Sequence, residues 1–271
     1  MRFTRNKRLR KFSVKGLIAL IFGFTFLSLS WKTSKNSDML VDTKNVHDSI
    51  TDIVSDEIVF SNFVNDLYET AGLQKADLAL PVFEKAITGF MNLKNQNALN
   101  QDKNIITIVD FTKSSTSKRM WIVDLQKKTL LLNTYVAHGQ GSGADLATSF
   151  SNIAESHQSS IGFYITSETY FGKHGLSLKL DGLDKGINDL ARDRAIVIHG
   201  AKYVSEDFIK KTGRLGRSFG CPAVSEELNE EVIGLIKNKT CLFINGNSKN
   251  YQSALLDNTN INLNLSSIAS I

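Results

Sequence analysis

Two short stretches dominate the sequence, Ile196-Val197-Ile198-His199-Gly200 and Gly216-Arg217-Ser218-Phe219-Gly220-Cys221-Pro222. The first is an apolar run, typical of a buried strand, that ends on a histidine. The second is a glycine-rich turn that holds a cysteine between a glycine and a proline. A thiol nucleophile needs a base to remove its proton and donors to stabilise the oxyanion that forms. The two stretches therefore predict a catalytic pair, with His199 as the base and Cys221 as the nucleophile.

The turn around the cysteine has the further features that acyl chemistry requires. The backbone amides of Gly220 and Cys221 are the expected oxyanion donors, since a glycine leaves room for a carbonyl group beside the chain. Pro222 fixes φ directly after the nucleophile. A nearby imidazole is expected to lower the thiol pKa below the ordinary value of about 8.5. A lone cysteine or histidine is more often structural, and the surrounding glycines, serine and arginines favour the catalytic interpretation.

The two stretches resemble the signature of murein L,D-transpeptidase catalytic domains, the YkuD-like family, in the branch that carries Arg-Ser-x-Gly-Cys-Pro. The resemblance covers about residues 78–245 and continues upstream, in order, through residues 136–143, 150–152, 155–164 and 169–175. Better-known members carry Ser-His-Gly-Cys, with an Asn or Arg two residues after the cysteine. Phe219 and Ala223 occupy those places here, so the resemblance assigns no second histidine beside the thiol.

The resemblance implies a fold and a reaction. The fold would be mainly β, of the α+β type: a β-sandwich or barrel with short helices, preceded by a small helical element. Cys221 would attack the carbonyl of the third residue of a peptidoglycan stem peptide and release D-alanine, while the Gly200 carbonyl orients His199. An amine or water would then resolve the thioester, which gives an L,D-transpeptidase or an L,D-carboxypeptidase. Carbapenem-type β-lactams would acylate Cys221, and no cofactor is implied.

Five polar side chains are candidates for binding the substrate: Arg217, Ser218, His138, Tyr164 and His174. Arg217 lies inside the motif, and its planar guanidinium suits a substrate carboxylate. The four histidines from His138 to His199 are separated by 19, 17 and 25 residues, which fits none of the compact metal-ligand patterns. The sequence therefore predicts no metal site.

The N-terminus has the composition of a targeting segment. Seven basic side chains and no acidic one precede an uncharged run at residues 16–31, so residues 1–31 are predicted to be a signal peptide or a membrane anchor. Without this segment, 25 of the 32 basic side chains remain against 27 acidic ones, a net charge of −2. We therefore expect export to the periplasm or cell envelope, peptidoglycan as partner, no nucleic acid, and a monomer.

The rest of the chain divides by composition and periodicity. Residues 32–55 are predicted to be a polar tether, residues 56–100 a helical element, residues 101–246 the catalytic domain, and residues 247–271 a mobile tail.

Two alternatives remain open at this point. Cys241 is the only disulfide partner available to Cys221, and a bridge between them would consume the nucleophile. The second alternative is a non-catalytic envelope protein that keeps the fold and binds peptidoglycan.

Overall fold

The computed structural model describes the backbone of residues 43–257 and the side chains of residues 57–257. The chain divides into two units, residues 1–46 and 47–271, and the account below concerns the second. The predicted N-terminal leader lies outside the described residues and stays a prediction. Within the described range, none of the helices combines the length and the apolar character needed to cross a membrane.

Two helices open the described part. α1 spans Thr43–Thr70 and α2 spans Leu80–Asn95. A proline lies in the first turn of α2, where its missing amide hydrogen costs nothing. The prediction of a polar tether over residues 32–55 is wrong from Thr43 onward, because α1 begins there. Val46, Ile50 and Ile53 lie at helical spacing in that segment, but its overall polar composition obscured the signal.

A single eight-stranded sheet forms the body of the fold, which confirms the prediction of a mainly β structure with short helices. The strand order is β3-β2-β1-β8-β4-β5-β6-β7. The strands are β1 (Ile105–Asp110), β2 (Met120–Asp124), β3 (Thr129–Thr134), β4 (Gly162–Gly172), β5 (Gly175–Gly182), β6 (Val197–Gly200), β7 (Ala223–Val224) and β8 (Cys241–Asn245). Between strands β6 and β8 lie the helices α3 (Glu206–Thr212) and α4 (Asn229–Ile236).

The two edges of the sheet approach one another. The chain that leaves β3 forms an isolated antiparallel bridge between Ala137 and Ala223 of β7. A second bridge joins Gly139 to Ser218. The sheet therefore closes nearly into a barrel, and the closure brings the turn after β3 against the segment that carries the cysteine.

The apolar residues of the sheet alternate between two cores. In β1, Ile106 and Ile108 join the cluster that contains Phe83 and Phe90 of α2. Val109 joins the opposite cluster, which contains the buried side of α4. Full burial of a large apolar side chain contributes about 1.5–3 kcal/mol, so the helical element and the sheet stabilise each other through a shared core.

The predicted mobile tail is wrong for its first half. The side-chain amide of Asn92 donates to the carbonyl oxygens of Leu255 and Asp257 at 2.8 and 3.0 Å. Leu255 is buried against the α1–α2 core. These contacts dock residues 251–257 on α2, and the tail beyond residue 257 lies outside the described residues.

Candidate active site

Strand register brings the predicted nucleophile and base together. β6 and β7 run parallel, with His199 opposite Ala223. Because parallel strands advance in step, Cys221 stands level with Val197, two residues before His199 and on the same face. Cys221 and His199 both line a cleft of about 600 Å³. The two residues, 22 positions apart in the chain, therefore line one accessible cleft.

His199 is arranged as a neutral base. Its Nδ1 lies 2.9 Å from the carbonyl oxygen of Gly200, an acceptor, so Nδ1 carries the hydrogen and Nε2 is left with its lone pair. Burial lowers the pKa of His199, the hydrogen bond to Gly200 opposes this shift, and the neighbouring His174 adds to it. The His174 ring stacks on His199 with centroids 4.4 Å apart. The net effect favours the neutral imidazole.

Cys221 is half-buried, and its sulfur lies against the chain that enters β6. The thiol donates to the carbonyl oxygen of Ala195 at 3.7 Å and accepts from the amide of Val197 at 3.5 Å. Burial raises the pKa of Cys221, and the Val197 amide and the Arg194 charge oppose this rise. The expected lowering of the pKa by His199 is wrong for this resting arrangement, because the sulfur's polar partners are backbone groups.

The disulfide alternative is not realised in the structure. Cys221 and Cys241 are both free thiols. Cys241 lies in β8 with no exposed surface, and its burial raises its pKa strongly. The accessible thiol is that of Cys221.

Ser218 shapes the turn around the nucleophile. Its hydroxyl donates to the carbonyl oxygen of Cys221 at 2.6 Å and accepts from the amide of Gly220 at 3.0 Å. The prediction that the Gly220 amide is an oxyanion donor is therefore wrong, since that hydrogen is already engaged. Of the two predicted donors, the Cys221 amide remains.

Gly220 is required for steric reasons instead. Its φ is +125°, a conformation that side chains disfavour, and a Cβ would meet the carbonyl oxygen of Gln158 at 2.8 Å. Gly200 is not among the residues that line the cleft, and its carbonyl oxygen lies 2.9 Å from Nδ1 of His199.

Ser159 is a positioning residue that the sequence analysis missed. Its buried hydroxyl accepts from the amide of Gly139 at 3.0 Å and donates to the carbonyl oxygen of Gly220 at 3.1 Å. A Cβ on Gly139 would approach the Cα of Gly220 to 2.9 Å. The glycine-rich turn after β3 therefore packs directly on the nucleophile turn through Ser159.

Three of the five predicted substrate-binding residues line the cleft, namely Arg217, Ser218 and His174. Arg217 is held by one end of its guanidinium: Nη1 donates to the carbonyl oxygens of Gln140 and Gly143 at 3.3 and 2.7 Å. Its charge is therefore fixed at the cleft wall.

The other two candidates, His138 and Tyr164, are wrong, because both side chains are fully buried. The Nδ1 of His138 lies 2.8 Å from Nη2 of the buried Arg119. Burial and the Arg119 charge lower the pKa of His138 to about 4. The Tyr164 hydroxyl donates to the carbonyl oxygen of Ser160 at 3.0 Å, and its ring belongs to the core. Tyr164 lies on the inner face of β4, and His138 lies in the segment after β3 that closes the sheet.

Phe219 forms an exposed rim beside the thiol. Its ring is 66% exposed and stacks on His157, with centroids 4.4 Å apart and planes 18° apart. The Nδ1 of His157 lies 3.0 Å from the side-chain nitrogen of Gln140. A flat aromatic surface thus stands where better-known relatives carry a histidine.

The described residues contain no group of three or more His, Cys, Asp or Glu side chains placed to hold a metal ion. The lining of the cleft carries three cationic side chains, Lys173, Arg194 and Arg217, and two acidic ones, Glu155 and Asp193. The small excess of positive charge favours a ligand that bears a carboxylate.

The family is shown by a comparison with models of protein families. The model of the L,D-transpeptidase catalytic domain matches residues 74–245. No curated protein matches the chain.

Solved structures with a similar fold include three bacterial proteins. An L,D-transpeptidase from Mycobacterium smegmatis shares 8% identity, covers 53% of this chain and 59% of its own, and has a TM-score of 0.33. The helical cell shape determining protein Pgp2 from Campylobacter jejuni shares 14% identity, covers 60% of this chain and 57% of its own, and has a TM-score of 0.36. An L,D-transpeptidase from Stackebrandtia nassauensis shares 13% identity, covers 69% of this chain and 78% of its own, and has a TM-score of 0.33. The chain thus spans less than two thirds of the first two proteins.

Proposed function

Because the chain belongs to the L,D-transpeptidase catalytic domain family, we propose that it is a cysteine acyltransferase acting on peptidoglycan stem peptides. The observation that carries the proposal is the placement of His199 and the free thiol of Cys221 in one accessible cleft. The substrate is a stem tetrapeptide whose third residue is a diamino acid followed by D-alanine.

Acylation starts from a neutral pair. The thiol proton passes to Nε2 of His199 as the Cys221 sulfur bonds to the carbonyl carbon of the third residue. The Cys221 amide donates to the oxyanion of the tetrahedral intermediate. The carbon–nitrogen bond to D-alanine then breaks, and His199 returns its proton to the departing amine. The products are a thioester on Cys221 and free D-alanine.

The thioester is resolved by a second nucleophile. Attack by the side-chain amine of another stem peptide gives a 3-3 cross-link and regenerates the thiol. Attack by water gives a tripeptide, the product of an L,D-carboxypeptidase. We propose transfer to the amine as the main reaction and hydrolysis as the alternative.

Arg217 is proposed to bind a carboxylate of the stem peptide. One end of its guanidinium is tied to the turn after β3 by Nη1, which leaves Nη2 and Nε to present a fork to the cleft. Ser218 keeps the turn in shape, and His174 supports His199.

The second candidate function, from a different class, is a peptidoglycan-binding envelope protein without activity. The replacement of the family's second histidine by Phe219 favours it. The retention of both Cys221 and His199 favours the enzyme, since a binder has no use for either. Export through residues 1–31 is part of both proposals.

The test is incubation of the purified protein with disaccharide-tetrapeptides and separation of the products by mass. The proposal predicts cross-linked dimers and released D-alanine, with neither formed by Cys221→Ala. Tripeptide without dimers assigns the carboxypeptidase reaction. Unchanged tetrapeptide, with binding retained, supports the non-catalytic alternative.

A further inference from the structure

Arg194 precedes β6 and is locked into the floor of the cleft. Its Nη1 donates to the carbonyl oxygen of Ser151 at 2.6 Å and to the hydroxyl of Ser160 at 2.5 Å. Its Nη2 donates to the carbonyl oxygen of Gln158 at 2.6 Å and to the hydroxyl of Ser156 at 3.3 Å. All four partners are neutral oxygens, so hydrogen bonds hold the guanidinium in place without neutralising it.

The guanidinium lies directly beside the nucleophile turn. Its Nη2 is 3.4 Å from the position that a Cβ on Gly220 would occupy. The residue after it, Ala195, supplies the carbonyl oxygen that accepts from the Cys221 thiol. Arg194 is therefore close to the Cys221 sulfur in two ways: it adjoins Ala195 in the chain, and its guanidinium lies beside Gly220.

The charge of Arg194 is not balanced by an ion pair in the part of the chain that the structure describes. The neighbouring Arg192, in contrast, pairs with Glu168 and Asp181. Because the four Nη hydrogens of Arg194 already point to protein oxygens, the side chain cannot clamp a substrate carboxylate with both nitrogens. What it supplies to the site is a fixed positive charge.

Other ionisable groups also face the cleft. The acids are Glu155 and Asp193, the other cations are Lys173 and Arg217, and the imidazoles are those of His157, His174 and His199. Arg194 differs from the other cations in its contact with Gly220 and in its rigid attachment to residues 151–160.

We propose that Arg194 is a positioning residue whose fixed charge stabilises the thiolate of Cys221 as the proton leaves for His199. The inference rests on the proposed function only in taking Cys221 as the nucleophile. A cation beside a thiol favours its charged form, because the attraction exists only after the proton has gone. The direction of the Arg194 effect on the pKa of Cys221 agrees with this geometry.

The test measures the rate at which iodoacetamide alkylates Cys221 as a function of pH, followed by intact-protein mass. Arg194→Gln should move the alkylation profile to higher pH by about one unit, a roughly tenfold lower rate near neutrality. Arg194→Lys should lie between it and the wild type. Arg192→Gln is the matched control and should leave the profile unchanged, because that guanidinium is already paired on the surface.

Two results would overturn the inference. One is a folded Arg194→Gln or Arg194→Met protein, by circular dichroism and melting temperature, that keeps the wild-type profile. The other is failure of both neutral variants to fold, which would make Arg194 a purely structural anchor of residues 151–160. The assay needs no peptidoglycan. An absence of turnover on stem peptides would therefore contradict the proposed function and leave this inference standing.

Discussion

The Nδ1 of His199 lies 2.9 Å from the carbonyl oxygen of Gly200, the next residue in the chain. This hydrogen bond fixes the imidazole tautomer, so Nε2 is the atom that can receive a proton. Burial lowers the pKa of His199 and raises that of Cys221. Both shifts favour the neutral pair over an imidazolium–thiolate pair, so we propose that the proton moves during attack and not before it.

This arrangement separates the role of His199 from that of a thiol activator at rest. His199→Ala should leave the pH profile of Cys221 alkylation unchanged, because the sulfur's polar contacts are Ala195, Val197 and the Arg194 charge. Acylation by a substrate or a carbapenem should fall by about 10²–10⁴, the usual contribution of a general base. The measurement is the stopped-flow rate of acylation, together with the pH profile of iodoacetamide alkylation, in the wild type and in His199→Ala. A rise of the thiol pKa in His199→Ala as large as that in Arg194→Gln would contradict it.

The stack between His174 and His199 makes a pH prediction. His199 must be neutral to accept a proton, so kcat/KM should fall as pH drops through its pKa, which is below the ordinary 6.5. His174 contributes to that lowering. His174→Phe keeps a ring on His199 but removes the charge, so the pKa of His199 rises and the acidic limb moves to higher pH.

The pH dependence of kcat/KM in wild type and His174→Phe checks this prediction. His157→Phe is the matched control, since it removes an imidazole of the cleft that stacks on Phe219 instead. Its acidic limb should stay where the wild type has it. If the acidic limb of kcat/KM does not move in His174→Phe, His174 does not influence the pKa of His199.

Gly220 makes a stability prediction with an internal control. Gly220→Ala combines a φ of +125° with a Cβ 2.8 Å from the carbonyl oxygen of Gln158. Gly186→Ala has a φ of +77° and nothing within 4 Å of its Cβ. We expect Gly186→Ala to cost about 1 kcal/mol and Gly220→Ala about 2–3 kcal/mol, measured as free energies of unfolding in urea. Equal losses would show that the nucleophile turn is not packed as described.

Several strands, and the presence of His199 and Cys221 at one cleft, could be predicted because each has a local signature. Apolar runs of strand length mark β1 and β8, and β6 ends on the His-Gly that contains the proposed base. β7 has only two residues, Ala223 and Val224, which is too short for a periodic pattern to be recognised in the sequence. That strand is what aligns Cys221 with His199, so the motif predicted the pairing and the register explains it.

The errors have a common physical cause. Proximity in sequence to a motif does not tell whether a side chain lies in the cleft or in the interior, and those of His138 and Tyr164 are buried. The Gly220 amide was expected to be free, because the sequence does not show that the Ser218 hydroxyl accepts its hydrogen. Arg194 carries no local signature, since all four of its partners lie more than 30 residues away along the chain.

Covalent trapping tests whether Cys221 is a nucleophile with His199 as its base. The purified protein is incubated with a carbapenem, and its intact mass and the modified peptide are determined. We expect one adduct, located on Cys221, absent in Cys221→Ala and formed much more slowly in His199→Ala. An unmodified wild-type protein, or an adduct of equal yield on Cys221→Ala, would contradict it.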